Sequence, residues 1–382
     1  MNFWNQLTYP IIGLSPMDGV TDATFRHIVA THGHPDIVFT EFTSVGEICH
    51  SRKGGWGAFQ YSQEERPILA QLYGKDPELF YQAAHIVCEM GFDGLDINMG
   101  CPSKNVAASG SGAALIKTPE RAIKIMEAAH QGIDDWANGQ SLREAGVRPM
   151  IVEKVREMNI ENGWTPSLIS NRMPIPLSVK TRLGYDEVVI EEWSECLTQG
   201  RPVAISIHGR TLQQMYRGQA DWEAIGLAAQ RLRGTGIRIL GNGDIRSLVE
   251  ALTAIKTYGV DGILIGRAAL GNPWIFRRIH DLRRAIDSGT ALDVIQDTVD
   301  LPTRFQMILD HAAYYETRNP KEDFPRMRKH LGWYCSGFPH AAAMRASMVR
   351  TSSVHDVAQI LRDYQATHLA GPAHPHPAES LT

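Results

Sequence analysis

The stretch Gly94-Leu-Asp-Ile-Asn-Met-Gly-Cys-Pro-Ser-Lys-Asn-Val-Ala-Ala-Ser-Gly-Ser-Gly-Ala-Ala-Leu-Ile116 sets the reading of the whole chain. Its first half alternates like a strand, with Leu95, Ile97 and Met99 on one face and Asp96 and Asn98 on the other. A Gly-Cys-Pro corner stops that strand, and a Gly/Ser/Ala-rich loop follows before the pattern turns helical. Cys101 therefore stands on a loop just past a strand end, beside a proline that restricts the backbone. A structural cysteine more often lies inside an apolar run.

Working outward, the first 270 or so residues repeat strand, loop, helix. Further strands are expected at 11–17, 36–42, 67–74, 177–182, 203–208, 237–242 and 262–266, all apolar and rich in β-branched residues. Such runs suit strands covered on both faces, as in a parallel sheet. Asp76-Pro77 and Thr118-Pro119 are helix starts, each an N-cap residue followed by proline at the first helical position, and Ser247 opens another helix. Eight strands alternating with helices predict an α/β fold, a (β/α)8 TIM barrel, rather than an open dinucleotide-binding sheet. The first strand runs into Met-Asp-Gly-Val-Thr-Asp, not Gly-x-Gly-x-x-Gly, so the dinucleotide fingerprint is absent.

The barrel domain is expected over residues 1–272, with an insertion at about 131–175 before strand five. That insertion contains a helical pattern at 150–158, and because it precedes a strand it is expected to project from the N-terminal face. Residues 273–367 read as a separate all-helical C-terminal domain, and 368–382 as a disordered tail.

Composition bounds the function. A hydrophobic fraction of 43% and a charged fraction of 21% suit a soluble globular protein. The five cysteines are scattered without a Cys-x-x-Cys pair, which disfavours a disulfide framework and a metal site. No signal peptide or membrane span is evident, so the protein is expected in the cytoplasm, away from membranes. A monomer is expected. The net charge is −4, but residues 318–350 carry seven basic and two acidic side chains. A local basic region on an acidic body is the footprint of a polyanion partner, although a solvated helix face gives the same pattern.

In this fold, residues ending the strands converge on one site. Here they are Pro16, Met17 and Asp18, then Glu41, Gln71, Asn98 with Cys101, Lys180 with Arg182, His208 with Arg210, Asn242-Gly243-Asp244, and Gly266-Arg267. The ends of strands seven and eight form the usual phosphate site, where Asn242-Gly243-Asp244 and Gly266 let backbone N–H groups approach an anion and Arg267 adds counter-charge. Lys180 would place a positive charge beside an electron-rich ring, and the Gln71 amide suits the edge of such a ring. A phosphate and an amide-bearing ring together describe flavin mononucleotide (FMN), while spacing alone also fits a phosphosugar enzyme.

The motif Asp96-Ile-Asn-Met-Gly-Cys-Pro-Ser-Lys-Asn-Val106 with Gly112-Ala-Ala-Leu115 resembles the signature of the tRNA-dihydrouridine synthases. Ser15-Pro-Met-Asp-Gly-Val-Thr-Asp22, Val179-Lys-Thr-Arg-Leu-Gly184, Ile207-His-Gly-Arg-Thr211, Gly241-Asn-Gly-Asp-Ile245 and Ile265-Gly-Arg-Ala-Ala269 are similar to that family in order. Arg326-Met-Arg-Lys-His-Leu-Gly-Trp-Tyr334 extends the likeness into the helical domain, most like the bacterial B-type and C-type subfamilies. The insertion and the tail depart from the pattern.

The resemblance implies an oxidoreductase acting on a CH–CH bond, which reduces the C5=C6 bond of specific uridines in tRNA. Tightly bound FMN would be held by Pro16, Met17, Asp18, Gln71, Lys180, His208, Asn242, Gly243, Asp244, Gly266 and Arg267, with NADPH as reductant. Cys101 would be the general acid that protonates C5 after hydride reaches C6. Asn98, Arg182 and Arg210, with Arg326, Arg328 and Lys329 in the helical domain, are the expected substrate contacts, and no metal is expected. A target uridine must turn out of its stack to reach the barrel mouth. Two alternatives stay open at this point: a flavin barrel acting on a free pyrimidine, and a tRNA-binding protein that has lost its chemistry.

Overall fold

In a computed structural model, which describes residues 2–165, 172–289 and 299–369, Gly94–Met99 is a strand buried along its whole length. Among the described residues it is β5 of nine parallel strands: β1 (Ile11–Leu14), β2 (Val38–Phe39), β3 (Thr43–Ser44), β4 (Ile68–Tyr73), β5, β6 (Leu177–Arg182), β7 (Ala204–His208), β8 (Arg238–Asn242) and β9 (Gly262–Ile265). Neighbours run β1-β9-β8-β7-β6-β5-β4-β2, with β3 also on β4. Backbone bonds from Leu14 N to Ile37 O (3.0 Å) and Asp36 N to Ile12 O (2.9 Å) join the two ends of that path. The expected (β/α)8 barrel is what forms.

Closure depends on Gly13. A Cβ there would lie 2.6 Å from the Ile37 side chain, so any larger residue would push the closing strands apart. The expected second strand at 36–42 is broken in two: Thr40 N–H still donates to Leu69 O (3.0 Å), but Gln71 N then donates to the Thr40 hydroxyl (2.9 Å) and the chain leaves the ladder at Glu41 and Phe42. The break leaves Glu41 at the barrel mouth as part of a cavity wall.

The bottom of the barrel is plugged by Trp4, fully buried on a 3-10 turn (Phe3–Asn5) whose first N–H groups are capped by Asn2. Trp4 packs with Ile11, Ile37, Phe39, Leu69, Ala204, Leu240 and Leu264, one apolar layer contributed by six strands or their edges. Burying one large apolar side chain contributes roughly 3 kcal/mol, so this layer is a substantial anchor. Above it the inward residues turn polar.

The outer helices follow the start signals. They are α1 (Ala23–Gly33), α2 (Val45–His50), α3 (Pro77–Glu89), the short α4 (Lys104–Ala108), α5 (Pro119–Ala137), α6 (Pro149–Glu161), α7 (Ile190–Thr198), α8 (Trp222–Arg231) and α9 (Leu248–Tyr258). The Asp76 carboxylate accepts from Glu78 N and Ser247 Oγ from Glu250 N, the expected caps. On α3 Phe80 is fully buried and Leu79 half-buried.

The insertion does not project from the N-terminal face. Its helix α6 is folded back along the outside of the barrel, burying Ile151, Val152, Val155 and Met158. Asn159 and Trp164 donate to Glu89 O at the end of α3, and Asn162 Nδ2 donates to Phe59 O at 2.9 Å. The apolar stripe on α6 has to be covered, and the barrel flank supplies the cover.

Two units form. The first holds the barrel to Ala269 together with the chain from Pro273 into α10 (Ile279–Ser288); the second holds Leu270–Asn272 and the later helices. The boundary therefore differs from the expected one at 272/273. The reason is Arg283 on α10, whose Nη2 donates to Asp36 (2.6 Å), Thr8 O and Pro10 O, fastening the helix to the barrel's base.

The second unit contains α11 (Leu301–Arg318), α12 (Arg328–Tyr334), α13 (Ala341–Met348) and α14 (Val354–His368), without a strand among its described residues. Phe305, Ile308, Ala312, Phe324, Leu331, Tyr334, Met348, Val357 and Leu361 are buried in it. The expected tail lies, beyond Leu369, outside the described residues.

Candidate active site

Parallel register sets side-chain rows inside the barrel. Gln71 pairs with Asp96 and Asp96 with Ser178; Asn98 pairs with Lys180; Arg182 pairs with His208 and His208 with Asn242. Residues level with one another in a parallel sheet point to the same side. The polar residues read from separate strand ends are thus brought together in tiers above the apolar plug.

The lower tier is a closed hydrogen-bonded set. Asp96, with none of its surface exposed, accepts from Ser178 Oγ (2.5 Å) and from Gln71 Nε2 (2.7 Å). Gln71 Oε1 accepts from Asn98 Nδ2 (2.9 Å), and Asn98 Oδ1 accepts from Gly100 N (3.0 Å). Burial pushes the Asp96 carboxyl up to about 6, against the pull of its hydrogen bonds and of Lys180. Neither Asp96 nor Ser178 was among the expected site residues. A carboxylate inside an apolar strand was the available signal.

In the upper tier Lys180, half-buried, donates from Nζ to Asn242 Oδ1 at 3.2 Å, and Asn242 Nδ2 donates to Leu264 O at 2.8 Å. Burial and then the nearby Arg182 guanidinium lower the Lys180 ammonium to about 8. His208 is pushed down to about 2, first by burial and then by Lys180, Arg182, Arg210 and Arg267, so its imidazole is neutral.

Cys101 follows β5 and is 4% exposed. Burial raises its thiol above the ordinary cysteine value, with Asp18 adding to the rise, while a hydrogen bond from the Ser103 backbone and the charges of Arg182 and Lys180 pull the other way. The thiol is therefore protonated at neutral pH. All five cysteines are free thiols.

The loop after β8 is built as a cradle. Gly243 has φ +131, and a Cβ there would lie 2.8 Å from Ala220 Cβ and 3.3 Å from the His208 ring. Asp244 follows in the left-handed region at φ 55. Gly243 is buried and Asp244 half-buried, so this is a turn of backbone at the barrel mouth with no side chain at its first position. The Asp244 carboxylate accepts from Ala220 N (2.8 Å), Arg210 Nη2 (2.6 Å) and Arg267 Nη2 (3.0 Å). Burial raises its carboxyl, but these donors outweigh it and hold the group below the usual carboxylate value.

Pro16 and Met17 are half-buried and Asp18 exposed on the loop after β1, which is clasped by Thr21: Met17 N donates to Thr21 Oγ1 (3.0 Å) and Thr21 Oγ1 to Met17 O (3.2 Å). Arg26, fully buried and paired with Glu65 at 2.8 Å, holds Thr21 O from behind. Gly266 has room: a Cβ would meet Met17 Sδ only at an ordinary 3.5 Å. A cavity of about 430 Å³ opens beside the Cys101 loop, lined by Asp18, Glu41, Phe42, Tyr73, Ser103 and Asn105 among others.

Two expected substrate contacts are not surface groups. Arg182 is 4% exposed and donates to Gly100 O (2.7 Å), Thr211 O (3.1 Å) and Met215 O (3.3 Å). Arg210 is 2% exposed and donates to Arg217 O, Gly218 O and Asp244. Both guanidiniums tie loops of the mouth together, because buried cations need carbonyl or carboxylate partners. In the second unit Arg328 is half-buried with Nε on Thr351 O (2.8 Å) and Arg345 caps Cys335 O, whereas Arg326 and Lys329 are exposed.

The family model for "Dihydrouridine synthase (Dus)" matches residues 13–136 and 167–369. This chain belongs to the dihydrouridine synthase family. It is 33% identical over 378 residues to a "Probable tRNA-dihydrouridine synthase 2" of Bacillus subtilis, covering 97% of this chain and 98% of that one. A "Probable tRNA-dihydrouridine synthase" of Staphylococcus aureus is 30% identical over 373 residues, 96% of each chain. Among solved structures, DHODH in complex with ferulenol from Eimeria tenella aligns over 65% of this chain and 63% of that one, at 12% identity and a TM-score of 0.41, too distant to bear on the site. The dihydrouridine synthase match covers β1 to α5 and β6 onwards, and leaves residues 137–166, which include α6, unmatched. The long segment before β6 thus lies largely outside the family match.

Proposed function

We propose that this dihydrouridine synthase reduces the C5=C6 bond of uridines in tRNA, with FMN as its cofactor, NADPH as the reductant and Cys101 as the proton donor. The observation that carries the reading is a protonated, 4%-exposed thiol on the loop at the end of β5, on the barrel face that also holds Lys180 and the Gly243–Asp244 cradle.

The residues present fit the cofactor. The turn at Gly243 and Asp244 suits a phosphate, a site that a Cβ at position 243 would disturb, and Arg267, 60% exposed, adds positive charge. Pro16, Met17, Asp18, Gln71, Lys180, His208, Asn242 and Gly266 would hold the rest of the flavin. A bound flavin, recharged by NADPH, supplies the hydride for C6 of the uracil.

This chain's own residues then do the following. Lys180 brings a positive charge that favours an electron-rich ring. His208, neutral, brings no second charge. Asn98 presents the remaining hydrogen-bonding capacity of its amide to the uracil edge. Cys101 delivers the proton from Sγ to C5, and its raised pKa keeps that proton in place until the enolate forms. Arg182 and Arg210 hold the mouth loops in position and bear on substrate only through them.

The second unit is proposed as the tRNA-binding domain. Arg318, Arg326, Lys329 and Arg350 are exposed there, and cations of this kind contact phosphates without reading sequence. The reading is tested by mapping dihydrouridine in tRNA from cells with and without this protein. Loss of dihydrouridine at one or more positions, restored by the wild-type chain, is expected; an unchanged dihydrouridine profile overturns it.

A further inference from the structure

The polar set under the site has a direction. At one end Asp96 is an ionised carboxylate that only accepts; at the other, Gly100 N–H only donates. Between them stand two side-chain amides, Gln71 and Asn98, each of which could be turned either way in isolation. With both ends fixed, one orientation satisfies every bond: Gly100 N–H to Asn98 Oδ1 (3.0 Å), Asn98 Nδ2 to Gln71 Oε1 (2.9 Å), and Gln71 Nε2 to Asp96 Oδ2 (2.7 Å). The relay starts inside the barrel and ends on the residue immediately before Cys101.

We propose that Asp96 is a positioning residue that sets the polarity of the Gln71–Asn98 relay and thereby holds the Cys101 loop. The inference rests on the reading of Cys101 as proton donor for its importance, but not for its truth. Asp96 touches neither the thiol nor, by its full burial, any substrate. Its effect passes through two amides. A neutral amide at position 96 would allow the relay to run backwards, turning an N–H of Asn98 against the N–H of Gly100. The loop would then lose one of its fastenings, while Arg182 still holds Gly100 O from the other side.

The test is read on the thiol, without turnover. The rate of alkylation of Cys101 by iodoacetamide, measured by peptide mass spectrometry on the full chain, reports how often the loop opens. Asp96→Asn is expected to raise it about tenfold, the effect of one lost buried hydrogen bond on a local opening. Ser178→Ala also removes a buried hydrogen bond to Asp96 but leaves the relay's direction intact, and is expected within about twofold of wild type. The double change Asp96→Asn with Gln71→Glu moves the acceptor one place along: the amide introduced at position 96 can donate to a carboxylate at position 71 that still accepts from Asn98. It is expected to bring the rate back to within about twofold of wild type.

An unchanged rate in Asp96→Asn overturns the proposal. So does an equal rise in Ser178→Ala, or a double variant as reactive as the single one. Should Asp96→Asn fail to fold, the wild-type protein decides: the Gln71 and Asn98 side-chain amide protons are expected to exchange with solvent far more slowly than those of exposed Gln and Asn, and equal exchange overturns the relay. If the relay holds while Cys101→Ala turns over tRNA normally, only the proton-donor reading fails.

Discussion

Lys180 Nζ lies 3.2 Å from Asn242 Oδ1, so a side chain of β6 reaches past β7 to one of β8. The contact places the lysine of the upper tier next to the Gly243–Asp244 loop. Two features that sequence reading assigned separately, a ring-binding cation and a phosphate cradle, share one strut.

Replacing Lys180 by Met is therefore expected to leave a folded protein that binds FMN at least tenfold more weakly, since a charged hydrogen bond contributes about 1.5–3 kcal/mol. The pH dependence has a defined sign. Burial and Arg182 bring the Lys180 ammonium to about 8, so in flavin-free protein the charge is present below that pH and lost above it. FMN uptake, followed by quenching of flavin fluorescence, should weaken as pH rises through 8, and the Met variant should lack that limb.

Cys101→Ala is expected to keep the fold, the flavin spectrum and reduction by NADPH, and to lose turnover on tRNA by about a hundredfold or more, the usual worth of a positioned acid. Dihydrouridine formed in unmodified tRNA is the measurement. Normal turnover would remove Cys101 from the mechanism.

Gly243→Ala asks for a Cβ at φ +131, against Ala220 Cβ at 2.8 Å. Strain of about 1–3 kcal/mol is expected, expressed first in the loop. Loss of FMN at a flavin concentration that saturates wild type, with a fall in melting temperature of a few degrees, would show it.

Asp96 gives a second pH prediction. Its folded pKa of about 6 lies above the ordinary carboxylate value, so between those two values the folded protein holds a proton that the unfolded chain does not. Its contribution to stability is largest at acid pH and is lost as pH rises through 6. Urea unfolding of wild type, relative to Asp96→Asn, should therefore gain up to about 1.4 kcal/mol per unit as pH falls from 6 towards 4. A flat difference would mean that Asp96 titrates normally.

Arg326→Glu and Lys329→Glu, both at exposed positions of the helical unit, are expected to weaken tRNA binding and lower its salt dependence by about one unit of slope each. Filter binding across a salt series checks this. Arg328→Gln should instead destabilise the unit, because Arg328 Nε is spent on Thr351 O.

Much of this was legible from residue order. The alternation of Leu95, Ile97 and Met99 with Asp96 and Asn98 is a local property of the backbone, since the side-chain period of a strand is two wherever it lies. The strand ends, the Asp76-Pro77 and Ser247 starts and the family's motifs are likewise short-range, and they suffice for a barrel whose polar residues meet at one face. Partner choice is not short-range. Arg182 and Arg210 look in sequence like free cations at a site, and only packing shows them consumed by carbonyls and by Asp244. The break at Glu41, the Trp4 plug and the course of α6 along the flank depend on which surfaces come to face each other. So does the direction of the relay under Cys101: it requires Gln71, Asp96 and Ser178 from three strands to come level, with Asn98 one row above them, and it is settled by a carboxylate that can only accept and a peptide N–H that can only donate.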